Sequence, residues 1–178
     1  GLITKMTNWF ISKYSQCWVP DNADVMHNLS GKLSHGEKVL PNVQYIGAIS
    51  RLKNNSILET EKESQILIIL SGPEPQKSIF LQKIVAQQPL TNLKMIVAGE
   101  SKIEATKNEH IEYLGNVSTE VMQQLVAQSQ YIISRSGYTT IMDLAKVQRS
   151  ALLVPTPGQA EQIYLGEYME SKKWHLVQ

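Results

Sequence analysis

The amino-acid sequence predicts an α/β protein whose main domain, at about residues 64–178, contains a doubly wound parallel sheet. Two observations support this fold class. Short aliphatic segments of strand length alternate with segments of helical periodicity, a pattern that produces right-handed crossovers between parallel strands. The first of these segments, Ile66–Leu70, is aliphatic throughout, as is typical of a strand that is covered on both faces.

Residues 1–63 have a different pattern, which we interpret as the tail of a preceding domain and a linker. Ile3, Met6 and Phe10 lie at helical spacing, and Pro20 stops the strand that follows. The segment 28–35 either reaches over a ligand site or is a plain surface connector. In chain order we expect a helix at 3–15, a strand at 16–19, a polar loop at 21–41, a strand at 43–46 and a polar connector at 50–64.

The main domain is predicted to contain five strands and four helices. The helix after Pro75 extends to about Gln88, and Ser118 is a suitable N-cap for the next one. The remaining helices are expected at 119–128, 138–146 and 161–171. The strands are expected at Ile66–Leu70, Leu93–Ala98, His110–Leu114, Tyr131–Ser134 and Ala151–Pro155.

Composition excludes several classes of protein. The 178 residues are 42% hydrophobic and carry a net charge of +1, which argues against a nucleic-acid-binding surface with its basic stripe. Cys17 is the one cysteine, so no disulfide framework forms within the chain and a reducing, cytoplasmic setting is expected. No apolar run approaches the ~20 residues of a membrane span. Because the chain lacks an initiator Met and stops at strand-like residues 174–178, we expect a fragment of a longer protein.

Ligands of open parallel sheets bind beyond the carboxyl ends of the strands, and the loop Arg135–Thr140 follows one such end. Its arginine, small residues and threonines open a helix, where backbone N–H groups attract phosphate. Asp143 lies one turn further and suits a ribose diol. An equally good interpretation is ordinary helix capping by Ser136 or Thr139, with Asp143 on a solvated face. The residues alone leave both interpretations open.

The run Arg135–Ala145, followed by Leu152–Pro155, resembles the C-terminal domain of family 28 glycosyltransferases, which include the bacterial peptidoglycan N-acetylglucosaminyltransferase. The similarity extends without a gap to Gln162 and more weakly back to Val43. It implies a Rossmann-like domain that forms the C-terminal half of a two-domain GT-B glycosyltransferase. It further implies that residues 1–63 are the tail of the N-terminal domain and the interdomain linker.

The resemblance also implies a role for individual residues. Asp143 takes the place of the family's acidic residue, which holds the ribose. Gln162 takes the place of the glutamine that touches the sugar, and Arg51 takes the place of an arginine near the diphosphate. The loop after the third strand offers its backbone to the uracil. The predicted donor-binding residues are therefore Arg51, Gly72, Asn116, Val117, Arg135, Ser136, Gly137, Tyr138, Thr139, Asp143 and Gln162.

Two positions depart from the family pattern and leave the identity of the sugar open. The loop after the first strand contains Pro73 and Pro75, which lack N–H donors, and Glu74, whose charge opposes a diphosphate. Gly166 stands where the family has an asparagine. These departures affect the nucleotide assignment less than the choice of sugar.

The implied function is a hexosyltransferase that uses a UDP-sugar and an unknown, lipid-linked acceptor. The catalytic base would come from the missing N-terminal domain, so we expect no catalytic residue here and no activity from the fragment alone. The four histidines are scattered, and we expect neither metal nor cofactor. The missing half could also hold the protein at the inner face of the membrane. The alternatives are a nucleotide-sugar hydrolase or epimerase on the same fold, and a non-catalytic donor-binding subunit.

Overall fold

A computed structural model of the chain describes residues 2–36, 40–53, 63–100 and 109–178, with side chains from Lys5 onward. The chain forms two compact units, residues 1–49 and residues 50–178. Most of the predicted connector at 50–64 lies outside the described residues. The domain boundary expected at residue 63 stays a prediction, although Ser50–Lys53 pack with the larger unit.

Among its described residues, the smaller unit contains one α-helix and a pair of parallel strands. Helix α1 (Leu2–Ile11) is followed by β1 (Cys17–Val19), a short 3-10 helix (Gly31–Leu33) and β2 (Val43–Tyr45), which pairs with β1. The helix was expected to reach residue 15 but ends at Ile11. The reason is Asn42, whose Nδ2 donates to the carbonyl oxygens of Ile11 at 2.8 Å and Tyr14 at 2.9 Å and so caps the end of the helix.

A buried carboxylate, that of Asp21, organises the segment between β1 and β2. It accepts hydrogen bonds from the backbone N–H groups of Leu29 at 2.7 Å and Ser30 at 2.9 Å, and from the Ser30 hydroxyl. Burial alone would raise the pKa of Asp21, but these hydrogen bonds outweigh it and lower that pKa below its ordinary value. The segment predicted as a plain polar loop is therefore folded around one side chain. Its role stays open.

The larger unit contains a six-stranded parallel sheet. The strands lie in the order β5-β4-β3-β6-β7-β8, so the chain starts at the centre, moves to one edge and then returns to build the other half. The predicted doubly wound sheet is confirmed. Its strands are β3 (Glu63–Ile69), β4 (Lys94–Ala98), β5 (Ile111–Gly115), β6 (Ser129–Ser134), β7 (Leu152–Leu153) and β8 (Leu176–Val177).

Within residues 63–100 and 109–178, four α-helices lie between these strands: α2 (Gln76–Val85), α3 (Thr119–Gln128), α4 (Tyr138–Lys146) and α5 (Ala160–Ser171). Helix α2 was expected to extend to Gln88 but ends at Val85, and a 3-10 helix (Gln88–Leu90) follows. Pro89 explains the change, because a continued α-helix would need an N–H at this position to bond to Val85, and proline has none. The predicted cap of α3 is present, since the Ser118 hydroxyl accepts a hydrogen bond from the N–H of Val121 at 3.3 Å.

Both faces of the central strand β3 are buried. Leu67 and Ile68 are adjacent, point to opposite faces of the sheet and have no solvent exposure. On one face Ile68 and Leu70 pack with Phe80 and Ile84 of α2. The aliphatic run that predicted a covered strand thus lies at the centre of the hydrophobic core.

Gly99 marks the closest backbone approach at the carboxyl ends of β3 and β4. Its φ is +126°, and a Cβ atom at this position would lie 2.6 Å from the carbonyl oxygen of Leu70.

We expect Gly99→Ala to lower the free energy of unfolding by about 2–4 kcal/mol, because it adds a clash to backbone strain. Gly158→Ala is the control, since Gly158 also has a positive φ but nothing within 4 Å. Urea denaturation should show the larger loss for Gly99→Ala, and equal losses would contradict the clash.

We expect a buried histidine to make the larger unit sensitive to mild acid. Nδ1 of His175 accepts the N–H of Ala151 at 3.1 Å, and burial lowers the pKa of His175 below its ordinary value. Between pH about 6.5 and the lower folded-state pKa, the unfolded chain binds the proton more readily, so the free energy of unfolding falls as pH decreases.

The matched variant His175→Asn keeps an acceptor for Ala151 and removes the titration. Comparison of urea denaturation at about pH 7.5 and pH 5.5 should show a smaller acid-induced loss in the variant, with a difference of at most about 1.4 kcal/mol per pH unit. The same pH dependence in both proteins would exclude His175 as the cause.

Candidate functional site

The strand order places a crevice between β3 and β6. From β3 the chain adds strands towards one edge of the sheet, and from β6 it adds them towards the other edge. Ligands of doubly wound sheets bind beyond the carboxyl ends of the two strands between which the strand order reverses in this way. The loop Ser71–Pro75 leads from β3 into α2, and Arg135–Gly137 leads from β6 into α4. The structure therefore brings two of the predicted site segments to one edge of the sheet.

The amino terminus of α4 has no side-chain cap. Gly137 is its N-cap and has no side chain with which to bond the N–H groups of the first turn. Tyr138, which follows, is half-buried and Thr139 is exposed. Since backbone N–H groups and the helix dipole favour negative charge at such a terminus, this is the part of the crevice best suited to phosphate.

The amino terminus of α2, in contrast, already holds a carboxylate. Glu74 accepts the N–H of Ser78 at 3.2 Å, and Lys77 lies 3.9 Å from its other oxygen. The N-cap position is Pro75, which has no N–H group. Gly72 lies exposed in the same loop. Because one carboxylate already occupies this terminus, it is less suited to a diphosphate than that of α4.

Arg135 is directed into the protein. Its guanidinium donates to the carbonyl oxygens of Val154 at 3.2 Å, Pro155 at 3.1 Å and Gln76 at 3.0 Å, and it stacks over the ring of Phe80. The residue is only 4% exposed, and burial lowers its pKa. The side chain thus joins the loops that follow β6 and β7 to the start of α2, and we assign it a supporting role.

Ser136 and Gln162 connect the same loops to α5. The Ser136 hydroxyl donates to the carbonyl oxygen of Gln162 at 2.7 Å. The side-chain oxygen of Gln162 accepts the N–H of Thr156 at 2.9 Å, and its Nε2 donates to Gln159 at 2.6 Å. Both side chains are therefore engaged within the protein, in bonds that fix the loop after β7.

Asp143 lies in α4, and its carboxylate is paired with the segment that precedes β3. One oxygen accepts the Ser50 hydroxyl at 2.6 Å and the N–H of Arg51 at 3.2 Å, and the other accepts Nε of Arg51, also at 3.2 Å. Asp143 is 6% exposed, whereas the side chain of Arg51 is half exposed. The structure thus brings Arg51 and Asp143 together, as expected if both belong to one site.

Asn116 and Val117 follow β5 at the same edge of the sheet. Asn116 is exposed and Val117 is half-buried. The loop begins at Gly115, whose carbonyl oxygen accepts the N–H of Gly99 at 2.7 Å. Their predicted contact with a base stays a prediction.

A model of the family described as "Glycosyltransferase family 28 C-terminal domain" matches residues 53–177. The chain belongs to this family. The resemblance inferred from the sequence is thereby confirmed over the whole of the predicted main domain except its last residue.

Similar proteins agree with this family and fold. The chain is 20% identical to the UDP-N-acetylglucosamine--N-acetylmuramyl-(pentapeptide) pyrophosphoryl-undecaprenol N-acetylglucosamine transferase of Natranaerobius thermophilus, over 89% of this chain and 47% of that protein. It therefore spans less than half the length of that relative.

Two solved structures share the fold. The glycotransferase of kitacinnamycin matches with a TM-score of 0.62 and 9% identity, over 94% of this chain and 43% of its own. The spinosyn forosaminyltransferase SpnP matches with a TM-score of 0.54 and 12% identity, over 79% and 38%. The fold is that of the C-terminal half of GT-B glycosyltransferases.

One departure of this family 28 domain from the family pattern has a packing explanation. Gly166, at the position of the family asparagine, is buried in α5, and a Cβ atom there would lie 3.0 Å from Cγ of Pro155 and 3.3 Å from Cγ1 of Val177. A larger side chain fits only if the side chains of Pro155 and Val177 give way. A sugar contact from this position is therefore unavailable to this domain.

Sequence reasoning missed Ser50, which holds Asp143. Its signal was weak, because a serine before an arginine in a polar segment has no distinguishing pattern. Pairing Ser50 with Asp143 also requires knowledge of a contact between residues more than ninety positions apart. Residue types alone could not have supplied that contact.

The domain also contains an apolar cavity of about 480 Å³ beside α2. Arg135 is the one predicted donor-binding residue in its lining, which is otherwise formed largely by aliphatic side chains and Phe80. We therefore distinguish this cavity from the crevice at the start of α4.

Among the described residues, no group of three or more His, Cys, Asp or Glu side chains could hold a metal ion. The described helices also include none that is both long and apolar enough to cross a membrane. The expected absence of a metal or cofactor stays a prediction.

The supporting role of Arg135 predicts a stability defect. Arg135→Ala should lower the free energy of unfolding by about 2–4 kcal/mol, because three carbonyl groups lose their buried donor. Arg135→Lys should restore only part of the loss, since an ammonium group lacks the planar fork. Arg51→Ala should cost less than Arg135→Ala, because Asp143 keeps its hydrogen bonds from the Ser50 hydroxyl and the backbone N–H of residue 51. Urea denaturation with equal losses for the two alanine variants would contradict this assignment.

Proposed function

We propose that this family 28 domain binds a UDP-sugar donor and holds its nucleotide during transfer of the sugar. The observation that supports this best is the amino terminus of α4 at the strand-order reversal, with Gly137 as a cap without a side chain. The diphosphate would lie at this terminus. Asp143, in the same helix, would accept the ribose hydroxyls.

Such a site promotes glycosyl transfer by stabilising the leaving group. The bond from the anomeric carbon of the sugar to the diphosphate oxygen breaks, and negative charge accumulates on the departing UDP. Fixed N–H groups and the helix dipole stabilise that charge without reorganisation. In this proposal the domain contributes leaving-group stabilisation, while Arg135, Ser136 and Gln162 position the surrounding loops.

The acceptor and the catalytic base would belong to an N-terminal domain. The smaller unit supports this proposal because several aromatic side chains, Trp9, Phe10, Tyr14 and Trp18, are more than half exposed. This number of exposed apolar side chains is typical of a surface that packs against another domain or chain. The Natranaerobius relative is named as a transferase with a UDP-N-acetylglucosamine donor and an undecaprenol-linked acceptor. By extension we propose a lipid-linked acceptor here.

On this proposal the 178-residue chain binds the donor but does not transfer the sugar by itself. The test is incubation of the chain with a panel of UDP-sugars and no acceptor, followed by chromatography of the products. Donor bound and recovered intact is the expected result. Release of free sugar, or formation of an epimer, would instead support the hydrolase or epimerase alternative.

Asp143 provides the sharper test of nucleotide binding. Asp143→Ala should weaken UDP binding about 10- to 100-fold, the effect of removing charge-assisted hydrogen bonds to the ribose. Glu167→Ala removes an exposed carboxylate from α5 and serves as the control. Titration calorimetry should show loss of affinity only for Asp143→Ala, with circular dichroism verifying that both variants are folded. Equal UDP affinity in the wild type and Asp143→Ala would refute this ribose site.

A further inference from the structure

One face of strands β6 and β7 is buried, whereas the other forms a wall of the apolar cavity. Ile132 and Leu153 are 2% and 0% exposed. Their neighbours Ile133 and Leu152 are register partners, so they lie on one face of the sheet, and both are half-buried and line the cavity. Because both faces of a parallel sheet are usually covered, the half-buried face is suited to holding an apolar group.

Helix α2 forms the opposite wall of the cavity. Its lining residues recur at the spacing of one helix face and are Gln76, Ile79, Phe80, Lys83 and Ile84. Gln76 is the first residue of the helix, and Ile84 lies eight residues further, or about 12 Å along the helix axis. The cavity therefore extends along most of α2.

Polar groups gather at the end of the cavity where α2 finishes. Lys83 and Gln87 are exposed there, and Thr91 is half-buried. The Thr91 oxygen accepts the N–H of Leu93 at 3.1 Å, which leaves the hydroxyl proton for another acceptor. The described residues that line the cavity include no Asp or Glu. This end of the cavity therefore favours an anionic group.

The opposite end of the cavity offers no comparable charge. Arg135 lines it, but this residue is 4% exposed and its guanidinium already donates to the carbonyl oxygens of Val154, Pro155 and Gln76. A ligand with one anionic end would therefore place that end at Lys83 and its apolar part between α2 and the sheet.

The size of the cavity favours a small amphiphile over a protein segment. Its volume of about 480 Å³ lies within the range of roughly 300–1,000 Å³ that is usual for small-molecule sites. An α-helix with its side chains is about 10–12 Å across, so a 12 Å length of helix would occupy roughly 1,000 Å³. A single alkyl chain is much thinner and matches the apolar walls.

We infer that this cavity binds the alkyl chain of an anionic amphiphile of the fatty-acid class. The chain lies between α2 and the half-buried face of β6 and β7, and the carboxylate lies at Lys83 and Thr91. This site is distinct from the crevice at the start of α4, and the inference does not depend on binding of a UDP-sugar.

The test compares three probes that share one chain, namely decanoate, decanol and decyltrimethylammonium. Each is titrated calorimetrically into the intact 178-residue chain, below the concentration at which the probe forms micelles. Decanoate should bind most tightly and the cationic probe most weakly. Because the chains are identical, the differences report the head group alone.

Lys83 should account for the preference for an anion. Lys83→Gln should weaken decanoate binding about two- to fivefold, the effect of losing an exposed ion pair, and leave decanol binding unchanged. Lys146→Gln is the matched control, because Lys146 is likewise an exposed lysine in the last turn of a helix but does not line the cavity.

A larger side chain on the sheet wall should exclude the alkyl chain. Leu152→Trp should weaken decanoate and decanol at least tenfold, since loss of two buried methylene groups already corresponds to about that factor. Val154→Phe provides a second cavity-filling variant if thermal melts show that Leu152→Trp does not fold. Ile163→Trp is the control, because Ile163 is exposed on α5 and does not line the cavity.

The outcomes decide between this cavity and other apolar surfaces. Weaker binding in Leu152→Trp or Val154→Phe, with binding retained in Ile163→Trp, supports the inference. A wild type that does not bind decanoate overturns it. Binding that is unchanged in both cavity-filling variants also overturns it and assigns the probe to exposed apolar side chains elsewhere. Equal affinity for decanoate and the cationic probe would contradict the anionic class.

Discussion

Parallel pairing of β3 with β6 is the constraint on which the candidate site depends. These strands are distant in sequence, and their register aligns Ile69 with Ser134 at the carboxyl end of the sheet. The alignment brings the loops that open α2 and α4 to one crevice. Every proposed contact with the donor requires this arrangement, because residues close in sequence supply only one wall of the crevice. The buried aliphatic side chains of β3 provide the packing that holds the strand there.

The polar residues around the crevice divide into two groups. Arg135, Ser136 and Gln162 are engaged with carbonyl and amide groups of neighbouring loops. Arg51 and Asp143 instead pair with each other at the surface of α4. Side chains of the first group form hydrogen bonds with buried backbone groups. If a ligand drew these side chains away, the backbone groups would lose their partners, which costs free energy. In the second group the Arg51 side chain is half exposed, whereas the Asp143 carboxylate is buried and accepts three hydrogen bonds.

The sequence predicted the fold well because its main signals are local. Aliphatic segments such as Ile66–Leu70 specify covered strands, and Ser118 specifies a helix start, without reference to distant residues. The candidate site depends more on distant contacts. Arg135 has the residue type and position of a phosphate ligand, but its orientation follows from carbonyl groups in three other segments. Similarly, the end of α1 depends on Asn42, far along the chain. Such choices are made by tertiary contacts, which residue patterns do not encode.

The two-stranded ribbon of the smaller unit has a consequence for handling the protein. Within the described chain, β1 and β2 pair only with each other, so each strand presents one row of backbone groups without a strand partner. Unprotected rows of this kind are templates for pairing between molecules, and the exposed indole of Trp18 adds apolar surface beside one of them. We therefore expect this stretch of chain to self-associate in concentrated preparations, and charged substitutions at the outer rows should suppress it.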